Sequence, residues 1–353
     1  MKTGLSLVEL AEKIQVESDE RNDYIAPTAA VNLSSVDSDV LELEGVGEFT
    51  PTNHTHGQIA AHTNIPKRYY DRMREETPAL LAVNVATWFN RNPKKRMIRT
   101  IGDSARAFLS DRYRTLDNYE LFEAVMPILG EKEVDVISAE VTETRMYIKV
   151  IDPKLKGQVN WGEGHQFGRA TDDEIIWGAT ISNSEVGSGS LSVSTMTLSS
   201  WCSNLMIVGK EFSKYHVGRS IDETGEFYKD ETRQADDRAT FLKLRDTVDH
   251  ALTEVAMQDT LAKYDYAAQN PITADPVKTV EKVAKIIRAT DEEKGSILKH
   301  LIEGGGLNQW ALANAVTRVA EDVESYDRAT QLEASGMGII EMAPGTWREI
   351  AVA

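Results

Sequence analysis

The chain is poor in the residues that staple small folds. A single cysteine, Cys202, stands among 353 residues, which excludes an internal disulfide and any multi-cysteine zinc site. No histidine lies beside it in Ser199-Ser200-Trp201-Cys202-Ser203-Asn204, so it reads as a packing residue rather than a reactive thiol. Long apolar runs are missing too. The longest, such as residues 79–83, fall far short of the roughly 18 to 20 needed to span a bilayer. The first ten residues lack the basic flank and apolar stretch of a secretion signal. These absences lead us to expect a soluble, cytoplasmic protein without a membrane partner. Also absent are a Gly-x-Ser-x-Gly elbow, a Ser-His-Asp arrangement, a dinucleotide fingerprint and a phosphate loop with its lysine. No catalytic residue and no cofactor is therefore expected.

A basic surplus is lacking as well. The net charge of −17 opposes binding to phosphate chains, which depends on Lys and Arg. The distribution changes that reading. Residues 1–90 carry 7 basic and 14 acidic side chains, residues 91–220 carry 17 of each, and residues 221–353 carry 15 and 25. Within residues 91–114, Arg91, Lys94, Lys95, Arg96, Arg99, Arg106, Arg112 and Arg114 face only Asp103 and Asp111. That stretch is the one electropositive island in the chain.

The hydrophobic pattern indicates an α+β fold in three parts. Residues 1–50 have no clear period beyond a short amphipathic start and are expected to form an N-terminal arm. Residues 51–220 read as an α+β core. Pro66 starts one helix and Pro78 another, which carries Leu81, Val85 and Trp88 on one stripe and stops at Asn92-Pro93. Residues 97–101 and 105–109 then alternate about Gly102-Asp103 as a β-hairpin, so the basic island lies on strands. After a helix capped at Asp117 or Asn118, strands over 134–137, 146–151, 175–181 and 191–198 suggest an antiparallel sheet with packed helices. Residues 221–353 read as helical, packing on the core or on a neighbouring subunit. Asp275-Pro276 opens one helix, Thr290 and Glu293 form a capping box for the next, and a long helix from Asn308 presents Leu312, Val316, Val319 and Val323. Residues 338–352, with Ile339, Ile340 and Trp347, are expected to add an edge strand or plug a groove.

Three places invite chemistry. On the hairpin, Lys94, Lys95, Arg96, Arg99, Arg106, Arg112 and Arg114 suit a groove that tracks phosphates, with Phe108 and Tyr113 as faces on which unpaired bases stack. The same cations would equally suit a solvated strand face paired to acidic helices of this chain or its neighbour. By strand alternation, Arg96 and Arg106 need not share a face with Arg99. The connection Val186-Gly187-Ser188-Gly189-Ser190 is glycine-rich, but strands flank it and no helix follows, so it reads as a hairpin loop rather than a nucleotide cradle. His54, His56 and His62, or Asp172-Asp173-Glu174, offer metal-ligand chemistry of the kind nucleases use, without a recognised ligand spacing.

Several stretches taken together resemble a known family. These are Ile65-Pro66-Lys67-Arg68-Tyr69-Tyr70, Arg99 with Arg106-Ala107-Phe108-Leu109-Ser110-Asp111-Arg112-Tyr113, Asn183-Ser184-Glu185-Val186-Gly187 with Ser190-Leu191, Trp310 with Asn314-Ala315-Val316-Thr317, and Ser325-Tyr326-Asp327-Arg328-Ala329. In order and spacing they resemble the phage and plasmid family called domain of unknown function 932, over about residues 50–350. One departure is Trp201-Cys202-Ser203-Asn204, where that family commonly has Cys-Asn-Gly. The resemblance implies a protein of phages or mobile elements, acting in the host cytoplasm in DNA recombination or replication. By fold-level analogy it also implies a core similar to the single-strand annealing recombinases of the Redβ and RecT kind. Such proteins bind single-stranded DNA as rings or filaments and use no nucleotide cofactor. The expected function is thus single-stranded DNA binding and annealing by a homo-oligomer. The alternatives are a phage module that docks on a host protein through its acidic helical third and, more remotely, a metal-dependent nuclease.

Overall fold

The computed structural model describes residues 2, 4–160, 172–200, 204–215 and 230–352. Cys202 and the departure at Trp201–Ser203 lie outside the described residues. The fold is α+β, with two sheets and helices packed on both.

Residues 1–50 are not an arm. They form α1 (Leu7–Glu20) and the strands β1 (Arg21–Pro27), β2 (Val31–Leu33), β3 (Leu41–Leu43) and β4 (Gly47–Pro51). A capping box starts α1: Ser6 N donates to Glu9 Oε2 at 2.8 Å, and Ser6 Oγ accepts from Glu9 N at 3.3 Å. Three helices follow, α2 (Asn53–Thr63), α3 (Lys67–Glu76) and α4 (Pro78–Arg91), and then the expected hairpin, β5 (Lys95–Ile101) and β6 (Ser104–Ser110). Gly102 turns that hairpin at φ +52°, a backbone region that favours glycine. The strands join in the order β1-β5-β6-β4-β3-β2, with only β4 and β6 parallel. The hairpin thus sits inside a sheet built mostly from the N-terminal segment.

Alternation along the hairpin buries both of its faces. Ile98 and Phe108 point into a core with Val31, Leu41, Ile59, Leu81, Val85 and Phe89, contributed by β2 to β4, α2 and α4. Met97, Ala107 and Leu109 point the other way and meet Val186 and Tyr113. An exposed ribbon was expected; a strand pair with no solvated face is what forms.

The second sheet contains β7 (Asp135–Val141), β8 (Met146–Asn160), β9 (Asp172–Asn183), β10 (Leu191–Ser199) and β11 (Leu205–Lys214), all antiparallel, in the order β11-β10-β9-β8-β7. Its large core joins Met146, Ile148, Val150, Trp177, Ala179 and Ile181 to α5 (Asn118–Glu131) and α6 (Asp230–Ala251). The remaining helices are α7 (Glu254–Ala268), α8 (Pro276–Ile286), α9 (Asp291–Gly304), α10 (Gln309–Arg318), α11 (Tyr326–Ile340) and α12 (Pro344–Ala351). They pack on this sheet within the same chain, since the core also holds Leu261, Trp310, Leu332 and Ile350. The helix expected to run on from Asn308 is short, ending at Arg318. Residues 344–351 are a helix started by Pro344, not an edge strand.

On the opposite face of β8, Tyr147 and Lys149 meet α11. Lys149 is fully buried, donates to Glu333 Oε2 at 2.6 Å, and lies 4.6 Å from the centre of the Tyr326 ring. Asp327 accepts from Tyr147 Oη and from Thr144 Oγ1, both at 2.8 Å. Burial raises the pKa of Glu333, and Lys149 opposes that rise. No helix among the described residues is long and apolar enough to cross a membrane.

Candidate nucleic-acid interface

The structure divides the nine expected contact residues into five committed to the protein, three exposed and Arg96 between them. Most are committed to the protein. Arg99, 1 % exposed, is the centre of an ion network: Nε and Nη2 grip Asp23 at 2.8 and 2.7 Å, and Nη1 donates to Asp117 at 2.7 Å. Burial acts to lower its pKa, but the bond to Asp23 and the charges of Asp117 and Asp23 outweigh it and hold the guanidinium charged. A phosphate cannot reach it. Arg106 donates to the Glu143 carbonyl at 3.1 Å and faces Glu17 at 3.6 Å, so it clamps α1 to the β7–β8 turn. Arg114 pairs with Asp236 at 2.6 Å and with Asp237 on α6. Phe108 stacks on Phe89 at 5.5 Å between ring centres with the planes 7° apart, and both rings are buried. Tyr113 is half-buried and donates to the Ser184 carbonyl at 2.9 Å. Phe108 offers no face to a base, and Tyr113 packs against Val186 and the hairpin. The partners of these cations, Asp23, Glu17 and Asp236, lie far away in sequence.

Lys94, Lys95 and Arg112 are exposed, as is Arg91, and none forms an ion pair with a described residue. They gather at the open end of the hairpin, because Lys95 starts β5, Arg96 pairs with Ser110, and Arg112 follows Ser110 by two residues. Arg91 ends α4 on the same approach, and its guanidinium lies 5.6 Å from the ring of Trp88, which is 44 % exposed. Arg96 is intermediate: it donates to His62 Nδ1 at 2.5 Å and lies 5.4 Å from the Phe108 ring. Burial first, then the charges of Arg96 and Lys94, lower the pKa of His62 to about 4. The ring is therefore neutral at pH 7, which leaves it free to accept from Arg96. Sequence reasoning weighted Phe108 and Tyr113 over Trp88, although Trp88 belongs to a helix with no charge between Pro78 and Asn90 and carries the outward aromatic.

The histidines do not converge. His54 Nε2 lies 2.8 Å from the Val186 carbonyl, His56 is buried with Nδ1 2.9 Å from Tyr70 Oη, and His62 faces Arg96. The side chains of Asp172 and Asp173 lie outside the described part of the structure, and Glu174 pairs with Lys156 at 3.1 Å. Among the described residues no group of three His, Cys, Asp or Glu is arranged to hold a metal ion. The loop after β9 is a hairpin connection, as expected. Gly187 turns it at φ +79°, and a Cβ there would stand 2.7 Å from Leu109 Cδ2. The described residues form a two-sheet α+β fold with a cationic end at the β5–β6 hairpin, in a chain of net charge −17. No family model, curated protein or solved structure matches it.

Proposed function

We propose that the chain binds single-stranded DNA at the open end of the β5–β6 hairpin and, as a homo-oligomer, anneals strands in the recombination or replication of a phage or mobile element. The observation that carries the binding reading is the cluster of Arg91, Lys94, Lys95 and Arg112, outward and unpaired among the described residues of a chain of charge −17. Retaining unneutralised cations together costs self-repulsion, which an anionic ligand relieves. Trp88 beside Arg91 supplies the face on which an unpaired base stacks, a contact worth about 1–3 kcal/mol per base. A duplex keeps its bases stacked inward and cannot use that face. Annealing, oligomerisation and the mobile-element context rest on the resemblance to the domain of unknown function 932 family.

Titration of labelled single-stranded and duplex DNA across a salt series tests the reading. With four phosphate contacts, log K against log salt should fall with a slope of about −3 for the single strand. Duplex should bind more weakly at every salt concentration. Trp88→Ala should weaken single-strand binding by about tenfold or more and leave the slope unchanged. Absence of single-strand binding at low salt, or an equal preference for duplex, rejects the proposal.

A second reading draws on the same helix. Leu80, Val83 and Trp88 of α4 are exposed apolar residues, a surface suited to a protein partner. A host protein that co-purifies in the absence of any DNA affinity would favour docking through α4, a different surface from the acidic helical third expected from the sequence.

A further inference from the structure

The two sheets meet at a cluster of charge that the nucleic-acid reading does not use. Arg21 and Asp23 come from β1, Arg99 from β5, Asp117 and Asn118 from the start of α5, and Glu185 from the β9–β10 loop. Each arginine has an aspartate partner: Arg99 holds Asp23 and Asp117 at 2.7 Å, and Arg21 Nη1 lies 3.0 Å from Asp117 Oδ2. Two cations are thus balanced by two carboxylates before Glu185 is counted. The Glu185 carboxyl accepts from the Asn118 backbone N–H at 2.5 Å, and Arg99 approaches only its backbone carbonyl, at 3.5 Å.

The loop that carries Glu185 is one of the contacts between the sheets. Tyr113 donates to the Ser184 carbonyl, Gln58 Nε2 to the Val186 carbonyl at 2.7 Å, and Asn183 Nδ2 to the Leu116 carbonyl at 2.7 Å. Val186 packs against Met97, Ala107 and Leu109 of the hairpin. An ionised Glu185 puts a third negative charge into this seam with no cation of its own.

We propose that Arg21, Asp23, Arg99, Asp117 and Glu185 form a proton-operated latch between the two sheets: a neutral Glu185 carboxyl locks the β9–β10 loop on the hairpin, and its ionisation loosens that contact. Burial first, then the charge of Asp117, raises the pKa of Glu185 to about 7, with Arg99, the Asn118 N–H and Arg21 opposing. The further neighbours are Asp23, which Arg99 holds, the Tyr113 phenol, whose pKa burial also raises, and Glu120 on α5, whose pKa burial first and then the charge of Asp117 raise while Arg21 opposes. Once the loop opens, Glu185 regains its ordinary acidity. Opening therefore becomes easier as pH rises from the ordinary carboxyl range towards 7, and levels off above it.

Hydrogen exchange on the full chain at about pH 5.5, 7 and 8.5, corrected for intrinsic rates, reads the latch directly. The opening equilibrium of residues 183–190 and of the facing hairpin should rise by about tenfold or more between the first and last of these. Glu185→Gln, which keeps an acceptor for Asn118, should abolish the rise. Glu131→Gln, exposed at the far end of α5, should preserve it. A pH-independent seam in the unmodified chain, or the same rise in Glu185→Gln, overturns the proposal. Titration of the Glu185 carboxyl carbon in the unmodified chain decides the matter if the variant fails to fold: an apparent pKa near 7 is expected, and an ordinary carboxylate value contradicts it. DNA binding enters none of these measurements, so the latch and the nucleic-acid reading stand or fall separately.

Discussion

Arg99→Met should cost about 3–5 kcal/mol of unfolding free energy, because it strands the buried Asp117 with only Arg21 to compensate it and also unpairs Asp23 at the edge of the seam. Denaturant unfolding at neutral pH measures it. A phosphate-binding arginine on the surface behaves in the opposite way: its loss lowers affinity and changes stability by no more than about 0.5 kcal/mol. A stable, fully folded Arg99→Met that has lost DNA binding would return Arg99 to the interface and refute its structural role. The distinction matters in practice, since charge reversal at Arg99 or Arg106 would disturb the joint between the sheets and say little about ligands.

The Lys149–Glu333 pair yields the second large effect. Lys149→Met removes the paired cation from a carboxylate that is itself buried, with Oε1 lacking any hydrogen bond among the described residues, at a cost of about 3–5 kcal/mol. Combining it with Glu333→Leu should restore stability to within about 1 kcal/mol of the unmodified chain, because two apolar side chains need no desolvation repaid. The single variant carries a pH signature. Without Lys149, burial of Glu333 raises its folded-state pKa further above the unfolded value, so the loss is full at high pH and shrinks as the pH falls and the carboxyl takes up a proton. A cost that grows on acidification, or a double variant as unstable as the single one, would contradict the pairing.

Local chemistry made much of the fold legible. Gly102-Asp103 between apolar runs marked the hairpin, Pro78 marked α4, and the Thr290–Glu293 capping box marked α9. Other signals of the same kind went unread. Ser6 and Glu9 form a capping box ahead of α1, where an arm was expected, and Pro344 opens α12, where an edge strand or plug was expected. The strands β2 and β3, three residues each, are too short for their alternation to stand out, and pairing of β2 with β3 and of β3 with β4 makes them strands. Sequence could not show that the hairpin belongs to one sheet and the strands over 135–214 to another, because β1 reaches β5 across some seventy residues of chain.

The charge of the candidate site was legible and its partition was not. Whether an arginine on a strand meets water or a carboxylate depends on what packs against that face. The packing groups here are α1, α6 and the β9–β10 loop. One sign was present: Ala107-Phe108-Leu109 is a continuous apolar run, as expected for a strand covered on both faces rather than a solvated ribbon. Read that way, Arg99 between Ile98 and Thr100 is a buried charge that demands a partner, while Arg91, Lys94 and Lys95 around Pro93 stay in solvent.

The central claim is that the outward cations at the hairpin's open end, and not its buried arginines, hold single-stranded DNA. A chain carrying Arg91→Ser, Lys94→Ser, Lys95→Ser and Arg112→Ser together tests it most directly, by salt-dependent single-strand binding alongside thermal unfolding. The account predicts an unchanged unfolding midpoint and a salt slope that falls from about −3 to near zero, with affinity lost accordingly. Retention of the original slope and affinity by a folded variant would contradict it.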